Sequence, residues 1–152
     1  MRGFFVVRVF SILRQMNLFK KNSCIFLTAL TLNLIWEFSH YRLYIDTSTI
    51  QGSPHLLIAS LFDALFILGI FSVISLKHRS LNWIRKPSKM DYGTVLFMAF
   101  LIAILIEIVN LHLGRWSYTD AMPTLLGIGV SPLVQLAVTG TLTLNIVKRI
   151  VK

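Results

Sequence analysis

The chain is poor in the features on which soluble enzymes are usually built. It has a single cysteine, Cys24, which excludes an intrachain disulfide and a four-thiolate metal site by count. Acidic residues number six against fifteen lysines and arginines, and charged residues make up only 14% of the 152. A water-soluble globule could not cover a 55% hydrophobic composition with so little charge, and the mean hydropathy of +0.73 agrees. No phosphate-binding P-loop, dinucleotide fingerprint or G-x-S-x-G turn is present. Ser39 and His40 are adjacent, so on a helix they point apart, which argues against a serine nucleophile. The opening MRGFFVVRVFSILRQMNLFKK is expected to be retained rather than cleaved, because Arg8 and Arg14 interrupt its apolar stretch.

What the chain does have is long apolar runs. A helix needs about 20 residues to cross a hydrocarbon core of about 30 Å. Four windows reach that length, about 24–44, 55–76, 94–113 and 124–147, separated by short connectors carrying Gly52, Pro54, Pro87 and Pro123. The expected fold is all-α: a four-helix transmembrane bundle over residues 22–152, preceded by a basic amphipathic segment over 1–21. In that segment Arg8, Ser11, Arg14 and Gln15 recur at helical spacing among apolar residues, which suits a helix lying in the membrane interface.

The net charge of +9 is distributed as topology. Five cations precede the first run, five fill the loop from Lys77 to Lys89 and three end the chain, which is thirteen of fifteen on one side. Only Arg42 and Arg115 fall on the other. Both termini are therefore expected in the cytoplasm, with the two short hairpin loops outside. Anionic headgroups account for such cations better than nucleic acid does, so membrane lipids are the expected partners and no nucleic acid is.

Against this background three acids stand out: Glu37, Asp63 and Glu107. Each falls roughly 9 to 12 Å inward from the outer end of its helix at about 1.5 Å per residue. A carboxyl facing hydrocarbon at that depth costs about 2 to 3 kcal/mol or more, so such groups face a bundle interior or each other. Clustered at low dielectric, they are expected to hold at least one proton near neutral pH. Asn33, Glu37, His40 and Tyr44 share one helical stripe, as do Glu107 and Asn110, with Arg115 near the mouth and Gln135 deeper. Trp36, Tyr41, Tyr44, Trp116 and Tyr118 are placed to ring such a pocket. In the last run, Gly127, Gly129, Ser131 and Pro132 predict a kink that frees the Ile128 carbonyl beside the acids.

Asn33, Trp36 and Glu37 form N-x-x-W-E, which resembles a motif of the integral-membrane meroterpenoid cyclases. That resemblance implies Glu37 as a proton donor to an isoprenoid. It stops there, because that family has about seven helices and a late second acid, whereas nothing acidic follows Asp120 here. The chain also looks like small bacterial integral membrane proteins that combine N-x-x-W-E with W-x-Y-x-x-x-M-P and S-P-L-x-Q, here Trp116, Tyr118, Met122, Pro123, Ser131, Pro132, Leu133 and Gln135. That likeness implies a multi-pass protein of the bacterial inner membrane and names no activity.

Carboxylic acids held dry beside aromatic rings suit protonation of an alkene and stabilisation of the resulting cation. On this reading Glu37, Asp63 and Glu107 are the catalytic candidates for an isoprenoid or other lipid-soluble substrate. Asn33, Trp36, His40, Asn110, Arg115, Trp116, Tyr118 and Gln135 are the substrate-binding candidates. The same cluster also fits a non-catalytic accessory subunit, a homo-oligomer or partner-bound protomer, and a small cation or proton carrier. Glu37 and His40 form E-x-x-H, to which Asp63, Glu107 and His112 could add a metal shell, but the matching position after Glu107 is Asn110 and no metal is assigned. No motif identifies a cofactor.

Overall fold

The computed structural model describes the backbone of residues 2–46 and 50–151, and side chains over 18–45 and 50–151. It is predominantly helical. Four long helices, α1 (Arg2–His40), α2 (Ser53–His78), α3 (Lys89–His112) and α4 (Val130–Ile150), form the bundle. Three of them, α2, α3 and α4, are long and apolar enough to cross a membrane, with mean hydropathies of 2.4, 2.5 and 1.5. The apolar surface is on the outside as well as inside: Leu57, Phe62 and Leu65 of α2 and Phe97, Leu101 and Leu105 of α3 are all exposed. That distribution suits a lipid environment.

Helix α1 is a single element of 39 residues, about 58 Å long at about 1.5 Å per residue. The backbone continues without a break through the segment expected to lie in the interface. The side chains through residue 17 lie outside the described residues. At its other end α1 stops at His40, four residues earlier than the apolar pattern predicts, and passes into a 3-10 turn over Tyr41–Leu43.

Packing follows the small residues. On α3, Val95, Ala99 and Ala103 repeat every fourth position and are fully or nearly fully buried. Their short side chains admit α4 closely at Gly140, where an added Cβ would lie 3.3 Å from Val95 Cγ1. Ile25 and Ala29 of α1, Ile67, Phe71 and Ile74 of α2, and Leu144 and Val147 of α4 complete the core. Helix α2 packs chiefly on α1 and α3 chiefly on α4, while α2 and α3 meet far less closely.

The basic end is tied by polar contacts. Ser88 and Asp91 form a reciprocal capping box at the start of α3. Buried Asp91 also meets His78 Nε2 of α2 at 2.8 Å. Trp83, in a 3-10 turn over Leu81–Arg85, packs edge-on against Phe71 and donates its indole N–H to Ser75 Oγ at 2.8 Å. Lys21 Nζ donates to Asn82 Oδ1 at 2.6 Å, bringing α1 into the same layer.

The opposite end contains two small β elements that the hydropathy pattern does not reveal. Strand β1 (Tyr44–Asp46) pairs antiparallel with β2 (Trp116–Tyr118), with Tyr44 opposite Tyr118 and Asp46 opposite Trp116. The connector after α1 is thereby joined to the connector after α3. Strands β3 (Thr124–Leu125) and β4 (Ile128–Gly129) form a hairpin turning at Leu126 and Gly127, both with positive φ. This corrects the expected fourth helix, which begins at Val130 rather than near 124. It also removes the expected kink: Pro132 sits in the first turn of α4, where its missing N–H would have had no helical partner.

The α3–α4 contact can be tested directly. Gly140→Leu should overpack the contact with Val95 and lower stability by about 1–3 kcal/mol, read as a lower thermal unfolding midpoint in detergent. Gly69→Leu, at a position with open space around it, should leave the midpoint nearly unchanged.

Candidate functional site

The site is built on an amide. Gln135, one turn into α4 and buried, directs Nε2 at Glu37 Oε1 of α1 (2.7 Å), Asp63 Oδ2 of α2 (2.7 Å) and Asn33 Oδ1 of α1 (3.3 Å). An amide nitrogen carries two hydrogens, so the two short contacts take both and the contact to Asn33 is the weakest. Asn33 is oriented independently: its Nδ2 donates to the Ala29 carbonyl at 2.9 Å, which turns Oδ1 toward Gln135 and toward the Thr139 hydroxyl at 3.2 Å. Sharing one amide nitrogen at 2.7 Å each brings the Glu37 and Asp63 carboxyls of two different helices together.

Glu107 belongs to a second group. It is buried on α3, and its Oε2 accepts a short hydrogen bond from the Tyr118 hydroxyl and a longer one from Trp116 Nε1 at 3.3 Å. Both donors lie on β2, so the strand pairing sets the position of this carboxyl. Tyr118 is held from behind by Gly129, where a Cβ would lie 3.0 Å from its ring. One turn along α3, Asn110 donates to the Ile106 carbonyl at 2.7 Å and accepts from Arg115 Nη1 at 3.1 Å.

Above the carboxyls the rings form a continuous series of edge-on and tilted contacts. His40 meets Tyr44 at 5.2 Å between centroids, Tyr44 meets Tyr118 at 5.6 Å and Trp116 at 6.2 Å, and Trp116 meets His55 at 6.1 Å. Burial raises the Tyr44 phenol above its ordinary range, and the nearby Glu107 and Glu37 charges add to this. Burial likewise raises Tyr118, reinforced by its bond to Glu107. Both therefore remain neutral hydrogen-bond donors throughout the physiological range.

These groups surround a cavity of about 380 Å³. Glu37, Asp63, Glu107, Asn110, Arg115, Trp116 and Gln135 all line it, so seven of the eleven candidate residues come together. Asn33 lies beneath, Tyr118 behind Glu107 and His40 behind Tyr44. His40 is occupied otherwise: its Nδ1 donates to the Trp36 carbonyl at 2.7 Å, stacking a last polar contact onto the end of α1. Trp36 does not reach the cavity, and its buried indole N–H makes no hydrogen bond among the described residues. His112 is exposed, and among the described residues no group of three or more His, Cys, Asp or Glu side chains could hold a metal ion. Sequence reasoning missed Thr139, although its spacing of four from Gln135 was a signal. It also missed His55 and the apolar wall formed by Ile58, Phe62 and Phe66 of α2 with Ala103 and Ile106 of α3. Ile58 and Phe62 are at the same time 39% and 54% exposed, and both belong to α2, which packs only loosely on α3.

Fold and site together define a helical bundle with membrane-spanning character and a carboxyl-lined cavity in the half opposite its basic end. The chain matches no protein-family profile, no curated protein and no solved structure.

Tyr118→Phe removes the stronger of the two donors to buried Glu107 and should cost about 1–3 kcal/mol, measured as thermal unfolding in detergent. The two phenols also give an alkaline signature. A phenol that resists ionisation in the folded protein stabilises it fully below the unfolded value of about 10 and loses that contribution as pH rises above it. Stability of the wild type should therefore fall above that pH, and the double variant Tyr44→Phe, Tyr118→Phe should show a shallower decline.

Proposed function

We propose that the protein is a four-span membrane protein with its basic end in the cytoplasm, carrying out acid/base chemistry on an isoprenoid or another lipid that occupies the carboxyl cavity. The observation that carries this reading is the meeting of the Glu37 and Asp63 carboxyls at one buried amide, on a cavity whose apolar wall includes the exposed side chains of Ile58 and Phe62. The distribution of Lys and Arg supports the orientation. Helix α1, which packs along α2 and α4, supplies the fourth span.

In this reaction the pair transfers its proton to one carbon of an alkene, and the adjacent carbon becomes cationic. The rings of Tyr41, Tyr44 and Trp116, which line the same cavity, face that charge with their electron-rich surfaces. Loss of a proton from a neighbouring carbon to the ionised pair restores the starting state. The net change is an isomerisation or cyclisation in which no atom is gained or lost, so no co-reactant is needed. Glu107, held by Tyr118 and Trp116, supplies a second negative group that stabilises the cation.

A second reading, a non-catalytic accessory subunit, is favoured by one observation: Gln135 links α1, α2 and α4 through its single amide, as a packing lock would. The two readings separate in deuterated water. Wild-type protein reconstituted with bacterial membrane lipids should place solvent deuterium on carbon in an isoprenoid lipid. Glu37→Gln should reduce that labelling by about 10²–10⁴-fold, the usual range for loss of a general acid. Labelling by wild type no greater than in protein-free vesicles, with only thermal stability altered in the variant, would favour the accessory role.

A further inference from the structure

The donors bonded to the three carboxyls are committed to them. The two amide hydrogens of Gln135 serve Glu37 and Asp63. The Trp116 and Tyr118 donors both serve Glu107, and the Asn110 amide nitrogen serves the Ile106 carbonyl. Three carboxyl groups nevertheless present more lone pairs than these donors fill, since each ionised oxygen accepts twice. The carboxyl end of the cavity is therefore richer in acceptors than in donors, and an occupant that donates a hydrogen suits it.

Charge narrows the choice further. The donors bonded to Glu37, Asp63 and Glu107 are all neutral groups, so a phosphate or carboxylate placed among the three carboxyls would add a fourth acidic group at low dielectric with no cation bonded to them among the described residues. An ammonium group would meet the opposite difficulty on the way in. Arg115 lines the same cavity and holds a guanidinium near its mouth, bonded to Asn110. A hydroxyl avoids both penalties: it carries no charge and donates one hydrogen to a carboxyl oxygen. The remaining dimensions fit a chain. Phe62, Phe66 and Ile106 form an apolar wall from the carboxyls to the seam between α2 and α3, and the paired strands β1 and β2 with their rings lie over the end that faces away from the basic loops.

We infer that the cavity binds a lipid alcohol, with its uncharged hydroxyl on the Glu37–Asp63 pair and its hydrocarbon chain leaving sideways between α2 and α3. This rests on the reading of the cavity as a lipid site and deepens it by naming the polar end of the ligand. The hydroxyl gives the substrate one fixed orientation, so the same alkene is always presented to the proton.

The test is retention of defined probes by the full chain in lipid nanodiscs, read by native mass spectrometry. The probes are geranylgeraniol, geranylgeranyl phosphate, geranylgeranylamine and the corresponding hydrocarbon. Wild type should retain the alcohol at least tenfold more than each of the other three. Double variant Glu37→Gln, Asp63→Asn should lose that preference, and Phe62→Trp, which fills the seam without touching a carboxyl, should weaken retention of the alcohol at unchanged helicity. Retention of the phosphate or amine equal to or above that of the alcohol would overturn the hydroxyl assignment while leaving a lipid site standing. Retention of no probe above an empty-nanodisc background would overturn both this inference and the lipid-site reading. Because the comparison of the four probes is made in wild type, it stands even where a variant fails to fold.

Discussion

Within the apolar bundle, one side-chain amide fixes the relative placement of three helices. Gln135 has two hydrogens to give and places them on carboxyls from α1 and α2 at equal distances of 2.7 Å. An unsatisfied carboxyl in that setting would cost several kcal/mol, so the helices can be displaced or rotated little relative to one another without losing a contact they cannot replace from lipid. The rest of the site is arranged around that constraint. Asn33 and Thr139 orient the amide from below, and the carboxyl pair faces the cavity from above.

Glu107 shows how the same bundle can hold an acid by a different means. Its partners come from β2 in the connector rather than from a neighbouring helix, and Gly129 fixes one of them from behind. The two groups are thus governed separately, one by helix packing and the other by the paired strands. Tyr44 lies within electrostatic reach of both, which makes it the point at which they meet.

Much of this could be read from the residues, and the parts that could not have physical reasons. The helical bundle follows from the length of the apolar runs, and the shared depth of Glu37, Asp63 and Glu107 follows from counting residues inward along each. The spacing of four between Asn33 and Glu37 puts both on one stripe of α1, and in the structure both meet Gln135 of α4. What eluded the pattern was the short backbone pairing. Strands of two or three residues are too short to show an alternation, so Tyr44 read as the end of a helix and Asp46 as the start of a connector. In LLGIGV the apolar content outweighed the glycines, although Gly127 adopts a positive φ that a helix interior would not supply. Trp36 shared a motif with Glu37 but is adjacent to it in sequence, and neighbours on a helix face different directions. The division of the acids into a pair and a single residue was also hidden, because it depends on which donor each carboxyl meets.

The strand pairing between the two connectors has a consequence for biogenesis. Leu43 receives hydrogen bonds from Thr119, a residue seventy-six positions later in the chain. During synthesis the first connector must wait until two further helices have been inserted before its partner strand exists. The roof over the carboxyls therefore closes late, after the helical hairpin of α2 and α3 is in place, and Gln135 arrives later still. Until then the nascent chain holds Glu37 and Asp63 with neither cover nor amide.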